Sequence, residues 1–139
     1  MWEKSYTTIT KAITSRQLWS LFSDVNNWHT WDEGIEFASM DGKFEKGNHF
    51  ILKPKKGPKV KIALVEVVEN RKFVDFTKFP LGKMYGEHCF EETAEGLKIT
   101  TTMRVGGPLG FLWRKLVAED IVKALPADTE AQIKAAGKL

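Results

Sequence analysis

The sequence predicts an α+β fold in which an antiparallel sheet wraps around a long C-terminal helix. Three observations predict it. A strand-like start leads into two short helical turns. From Gly34 to Val105, turn residues then recur at intervals of about a dozen positions between β-type runs. After Gly106-Gly107-Pro108, an apolar run at helical spacing closes the chain. Elements in that order can leave an apolar cavity between sheet and helix.

Trp2–Lys11 is rich in Thr, Tyr and Ile, which suit a pairing strand. Thr14 and Gln17 have capping-box spacing, so a helix is expected from Ser15, with Leu18, Leu21, Phe22 and Val25 on its apolar face. Asp24 is the expected N-cap of a second short helix through Trp28 and Trp31. Neither helix is long enough to stand alone, so both must pack on something larger. Leu18–Asp32, which spans them, holds Trp19, Trp28 and Trp31 of the five tryptophans.

Asp41-Gly42, Gly57-Pro58, Asn70-Arg71, Leu81-Gly82 and Glu95-Gly96 punctuate the strand region. They place strands near 34–41, 47–54, 59–69, 72–79, 83–93 and 96–106, joined as an antiparallel meander. In the last strand Leu97, Ile99, Thr101, Met103 and Val105 share one face. In the strand before it, Met84, Gly86, His88 and Phe90 share a face, opposite Tyr85, Glu87, Cys89 and Glu91. Pro108 suits the first position of the closing helix. Leu109, Leu112, Trp113, Leu116, Val117, Ile121, Ala124 and Leu125 are its expected inner face, and Pro126 is expected to kink or interrupt it.

A chain of 139 residues fits one domain, 1–139, with a sizeable core. Its 42% hydrophobic and 28% charged residues suit a soluble protein. No apolar run approaches the ~20 residues that span a bilayer, and the N-terminus lacks a signal-like apolar stretch. Cys89 is the lone cysteine, which excludes an internal disulfide, and the expected location is cytoplasmic. The net charge of +3 is local: without Lys53, Lys55, Lys56, Lys59 and Lys61, 16 basic residues would face 18 acidic ones, a net −2. Such a run is either a solvated hairpin tip or a docking patch for an anionic membrane or an acidic protein. Nucleic acid does not fit, because no aromatic residue is interleaved for base stacking.

Several stretches together resemble the START-related, pollen-allergen and polyketide-cyclase superfamily, SRPBCC. They are Ile13–Asp32, ending LWSLFSDVNNWHTWD; DGKFEKG at Asp41–Gly47; EVVENRKFVDFT at Glu66–Thr77; and GEHCFEETAEGLKITTTMRVGGPLG at Gly86–Gly110. The resemblance covers nearly the whole chain. It implies a helix-grip fold: a curved antiparallel sheet of about seven strands around the C-terminal helix, with two short helices after strand 1. It also implies a cavity between helix and sheet. The fold hosts carriers, receptors and enzymes alike, so it does not choose a function.

His88 is the sharpest candidate, because it shares a strand face with Met84 and Phe90. In an apolar cavity it would orient a ligand hydroxyl or carbonyl, or act as acid or base; a satisfied core histidine has the same sequence signature. The expected lining is Trp28, Trp31, Met84, His88, Phe90, Thr101, Met103, Leu112, Leu116 and Ile121. Asp75 shares a face with Phe73, Thr77 and Phe79, and the sequence does not decide whether that face is concave; a carboxylate flanked by aromatics in a strand must be exposed, paired or functional, and exposure is the expectation. His29 reads as a surface residue, and His49 as facing away from the apolar side. No spacing fits a metal site, and no cofactor motif is present. The expected function is binding of a hydrophobic ligand such as a lipid, polyketide or aromatic metabolite. The alternatives are a cyclase or dehydratase using His88, and a protein- or membrane-interaction module.

Overall fold

A computed structural model describes residues 1–139. Strand β1 (Trp2–Thr10) is followed by helix α1 (Ser15–Ser23) and a 3-10 helix (Val25–Thr30). Strands β2 (Ile35–Ser39), β3 (His49–Pro54), β4 (Val60–Val68), β5 (Lys72–Phe79), β6 (Gly82–Thr93) and β7 (Gly96–Gly106) come next. Helix α2 (Gly110–Trp113) then runs through a π-helical turn (Arg114–Ala118) into α3 (Glu119–Ala136). The seven strands form one antiparallel sheet in the order β1-β7-β6-β5-β4-β3-β2. The meander is closed by pairing the first strand to the last, with Trp2 opposite Val105 and Thr10 opposite Leu97.

The Thr14 capping box forms as expected. Its hydroxyl accepts from the Gln17 backbone N–H, and the Gln17 side chain accepts from the Thr14 N–H. Leu18, Leu21 and Phe22 are buried on the apolar face of α1. Asp24 does not cap the second helix: its carboxylate instead accepts from the Asn27 side chain, and the helix winds as a 3-10 helix. The turns at Asn70 and Leu81 both use positive φ, 64° and 54° respectively. Asn tolerates that conformation; for Leu it is strained.

Register settles which sheet face is concave. Phe73, Asp75 and Thr77 lie opposite His88, Gly86 and Met84, which in turn lie opposite Thr101, Met103 and Val105. This shared face packs on α1 and the C-terminal helix in two separate apolar clusters. The larger joins Leu18, Trp19, Phe22, Trp28, Phe50, Leu64, Phe73, Phe90 and Ile99 to Ala136. The smaller joins Met84, Met103 and Val105 to Ala118, with Ile121 and Val122 packed against it.

The closing helix departs from expectation in three ways. It begins at Gly110, so Pro108 precedes it. Pro126 lies inside α3 and does not interrupt it, which removes the second half of the expected kink or interruption. Leu112 and Leu116, expected to line the interior, are 38% and 60% exposed. The π-helical turn explains this third correction. Its i→i+5 bonds place an extra residue in one turn, so an apolar face drawn at a period of 3.6 does not stay in phase across it. Ala118, at the end of that turn, and Leu125, Thr129 and Ala136 beyond it are the buried positions.

Candidate functional site

On the concave face, β5 and β6 bring an acid and a base together between the two apolar clusters. His88 Nε2 lies 3.0 Å from Asp75 Oδ2. The His88 ring stacks on Phe73, with centroids 4.3 Å apart and planes 15° apart, and Phe22 packs beside it at 5.8 Å. The sequence led us to expect an exposed Asp75; it is instead paired and largely buried, its side chain 17% accessible and that of His88 19%. Both side chains thus remain partly accessible to solvent.

The strand geometry shows why the pair forms. Asp75 sits opposite Gly86, one diagonal step from His88. A Cβ at Gly86 would come within 2.8 Å of the Asp75 carboxylate, so the absence of a side chain there makes the room. With Asp75 accepting the Nε2–H proton, the ring keeps a basic Nδ1 that makes no hydrogen bond within the protein. Two register steps from Asp75, Thr77 is buried and its Oγ1 has no partner. An unpartnered buried hydroxyl carries a desolvation cost that an incoming polar group relieves.

The other expected lining residues divide. Met84, Thr101 and Met103 are buried on the same face as His88. Phe90 and Trp28 are packed in the larger cluster, where Trp28 donates from its indole to the Phe22 carbonyl. Ile121 is half-buried against the smaller cluster. Trp31 lines a cleft of about 620 Å³ between residues 30–34 and α3. That cleft does not contain the dyad. It is linked to it through side chains: Trp31 packs on Phe22 at 6.4 Å, and Phe22 packs on His88. Asp32 and Asp128 face this cleft; burial, and then the charge of Asp32, pushes the Asp128 carboxyl above its ordinary value.

The outer face of the sheet holds a charge network. Glu87 accepts from Arg104 at 2.6 Å and pairs with Lys72 at 3.3 Å, and Arg104 also meets Glu3. Burial alone would raise the Glu87 pKa, but hydrogen bonds from Arg104 and Lys72 outweigh it and hold the carboxyl below its ordinary range. Burial, then Glu87, pushes the Cys89 thiol up, so it is a poor nucleophile. His49 is exposed, as is His29. Of the lysine run, Lys53 is paired with Glu36 at 3.2 Å, while Lys55, Lys56, Lys59 and Lys61 are exposed with no carboxylate partner. No helix is long and apolar enough to cross a membrane.

Sequence reasoning set Asp75 with Thr77, and Gly86 with His88, on faces of their own strands, but it did not bring the two faces together or pair Asp75 with His88. The available signal was the turn at Leu81-Gly82, which fixes the β5–β6 register, together with a glycine in mid-strand, a mark of close approach.

The family described as polyketide cyclase / dehydrase and lipid transport matches residues 3–135. No curated protein matches the sequence. Among solved structures, a protein from Nitrosomonas europaea is similar with a TM-score of 0.73 at 13% identity, over 98% of this chain and 94% of that one. A START superfamily protein from Mycobacterium smegmatis gives 0.68 at 16% identity, over 95% and 97%. The di-domain ARO/CYC StfQ from the steffimycin biosynthetic pathway gives 0.74 at 13% identity, with 98% of this chain covering 49% of that one. At these identities the likeness is one of fold.

Proposed function

The chain belongs to the polyketide cyclase, dehydrase and lipid transport family, and on that premise we propose that it binds a hydrophobic small molecule between the sheet and the C-terminal helix. The ligand carries a hydroxyl that donates to His88 Nδ1, or a carbonyl that accepts from the Thr77 hydroxyl. The observation that carries this reading is the His88–Asp75 hydrogen bond on an otherwise apolar concave face. A lone histidine there is core. A histidine whose proton is held by a carboxylate is an oriented acceptor.

Magnitudes support a polar anchor. A ligand burying ~300 Å² of apolar surface gains about 7 kcal/mol before association costs. Micromolar binding needs about 8 kcal/mol net, so a polar contact or two must supply the difference. Met84 and Met103 suit a wall that adapts to varied apolar shapes.

A second reading has the same dyad as its support. With Asp75 fixing the tautomer, Nδ1 would remove a proton from a bound polyketide-like ligand, as a cyclase or dehydratase requires. Native mass spectrometry of freshly purified protein, followed by identification of what denaturation releases, tests the binding reading. A released apolar molecule bearing a hydroxyl or carbonyl is the expected result. Turnover of that molecule by wild type but not by Asp75→Asn would move the assignment to catalysis.

A further inference from the structure

At the end of the molecule where the C-terminal helix begins, apolar side chains stand out in water. Leu81 is 64% exposed, Phe111 60% and Leu116 60%. Backbone contacts hold them together. The Leu109 N–H donates to the Leu81 carbonyl at 2.8 Å, and the Trp113 indole donates to the Pro80 carbonyl at 2.8 Å, which fastens α2 to the β5–β6 turn. Leu81 is doubly unfavourable in isolation, since it is apolar, exposed and held at a positive φ that suits Gly or Asn.

The same end carries cations without counter-ions. Lys78 lies directly opposite Lys83, and one register step past the Ile62–Thr77 pair brings Lys61 opposite Lys78. Like charges facing each other across strands destabilise a sheet. All three are exposed on the convex face, and none has a carboxylate partner. Lys115 on the π-helical turn is exposed too. Arg114, beside Met1 and Phe111 in a cleft of about 340 Å³, has a buried Nε with no hydrogen-bond partner. The β3–β4 turn, with Lys55, Lys56 and Lys59, projects from this end of the sheet as well.

We propose that this end docks on an anionic lipid bilayer, with Leu81, Phe111 and Leu116 entering the interface and Lys61, Lys78, Lys83, Lys115 and Arg114 meeting headgroup phosphates. Exposed apolar side chains and unpaired cations at one end of the molecule complement a surface that is anionic outside and apolar just beneath. An acidic protein or a nucleic acid would satisfy the lysines and leave Leu81 and Leu116 in water. The inference goes beyond ligand binding and does not depend on the Asp75–His88 pair.

Co-sedimentation of the full chain with phosphatidylcholine vesicles, with and without phosphatidylserine, tests it. Wild type should partition onto phosphatidylserine-containing vesicles, and high salt should release part of it. Lys78→Glu with Lys83→Glu should lower partitioning by at least about tenfold. Leu81→Asn, which relieves the backbone strain and so keeps the fold, should lower it several-fold, as should Leu116→Ser. Equal partitioning onto both vesicle types, or none onto either, overturns the proposal. So does binding that needs the lysines but is unchanged by Leu81→Asn and Leu116→Ser, which would point to an acidic macromolecule.

Discussion

The Asp75 carboxylate occupies the place where a side chain at residue 86 would begin: a Cβ on Gly86 would lie 2.8 Å from Asp75 Oδ1 and 2.9 Å from Oδ2. Gly86→Ala should therefore displace the carboxylate and break its bond to His88. The expected cost is about 1–3 kcal/mol, typical of overpacking a filled site. A lower Tm in thermal denaturation checks it; an unchanged Tm would mean that Asp75 moves aside freely.

Removal of the dyad acts on the ligand. His88→Ala and Asp75→Asn should each reduce the amount of ligand that co-purifies, measured by native mass spectrometry, while circular dichroism stays that of wild type. Asp75→Asn keeps the volume but puts a neutral amide opposite Nε2 in place of the charged acceptor. Full retention in both variants would take the pair out of the site.

Thr77 gives a prediction of opposite sign. Its buried Oγ1 has no partner, so Thr77→Val should stabilise the ligand-free protein by about 1 kcal/mol. The same change should weaken ligand retention. A variant that is less stable without ligand would show that the hydroxyl is satisfied inside the protein.

Acid should loosen the outer face of the sheet. The folded Glu87 carboxyl is held below its ordinary 4.5, so its stabilisation is present above that pH and lost as pH falls through the folded value. Glu87→Gln should cost about 1 kcal/mol at neutral pH, a modest figure because solvent screens its partner Arg104, whose side chain is 34% exposed. The Tm difference between variant and wild type should shrink below pH 4.5. A difference that stays constant with pH would assign the effect to packing.

Asp128 predicts the reverse trend. Burial first, and then Asp32, raise its folded pKa above the ordinary 3.8, so its ionisation costs stability as pH rises through that raised value. Asp128→Asn should raise the Tm at pH 7, with no gain below pH 3.8. Equal melting at pH 7 would show that the carboxylate is compensated at the cleft.

The order of elements was legible because turn chemistry and period are local. Asn70-Arg71 and Glu95-Gly96 mark where β4 gives way to β5 and β6 to β7, and Thr14 with Gln17 marks the start of α1. The alternation that set His88, Gly86 and Met84 on one face also holds. The fate of Asp75 was not legible, because a carboxylate between aromatics reads as exposed until a facing glycine makes room for it. That is a property of the strand pair and not of either strand. The outward turn of Leu112 and Leu116 was hidden for another reason. A π-helical turn shifts the phase of a helix without a breaker residue such as Pro to announce it.

The pairing of β1 with β7, the first strand with the last, bears on how the chain folds. During synthesis, β1 emerges before any residue it will hydrogen-bond to exists. Strands β2 to β6 can zip neighbour to neighbour, whereas β1 must wait for the last hairpin partner to arrive. Closing so long a loop adds little free energy, since that cost grows only with the logarithm of length, but it slows the search. Until β7 is in place, both β1 and β6 present open edges, and open edges are where strands from different chains pair. Premature termination before β7 should therefore yield aggregates and not a smaller working protein.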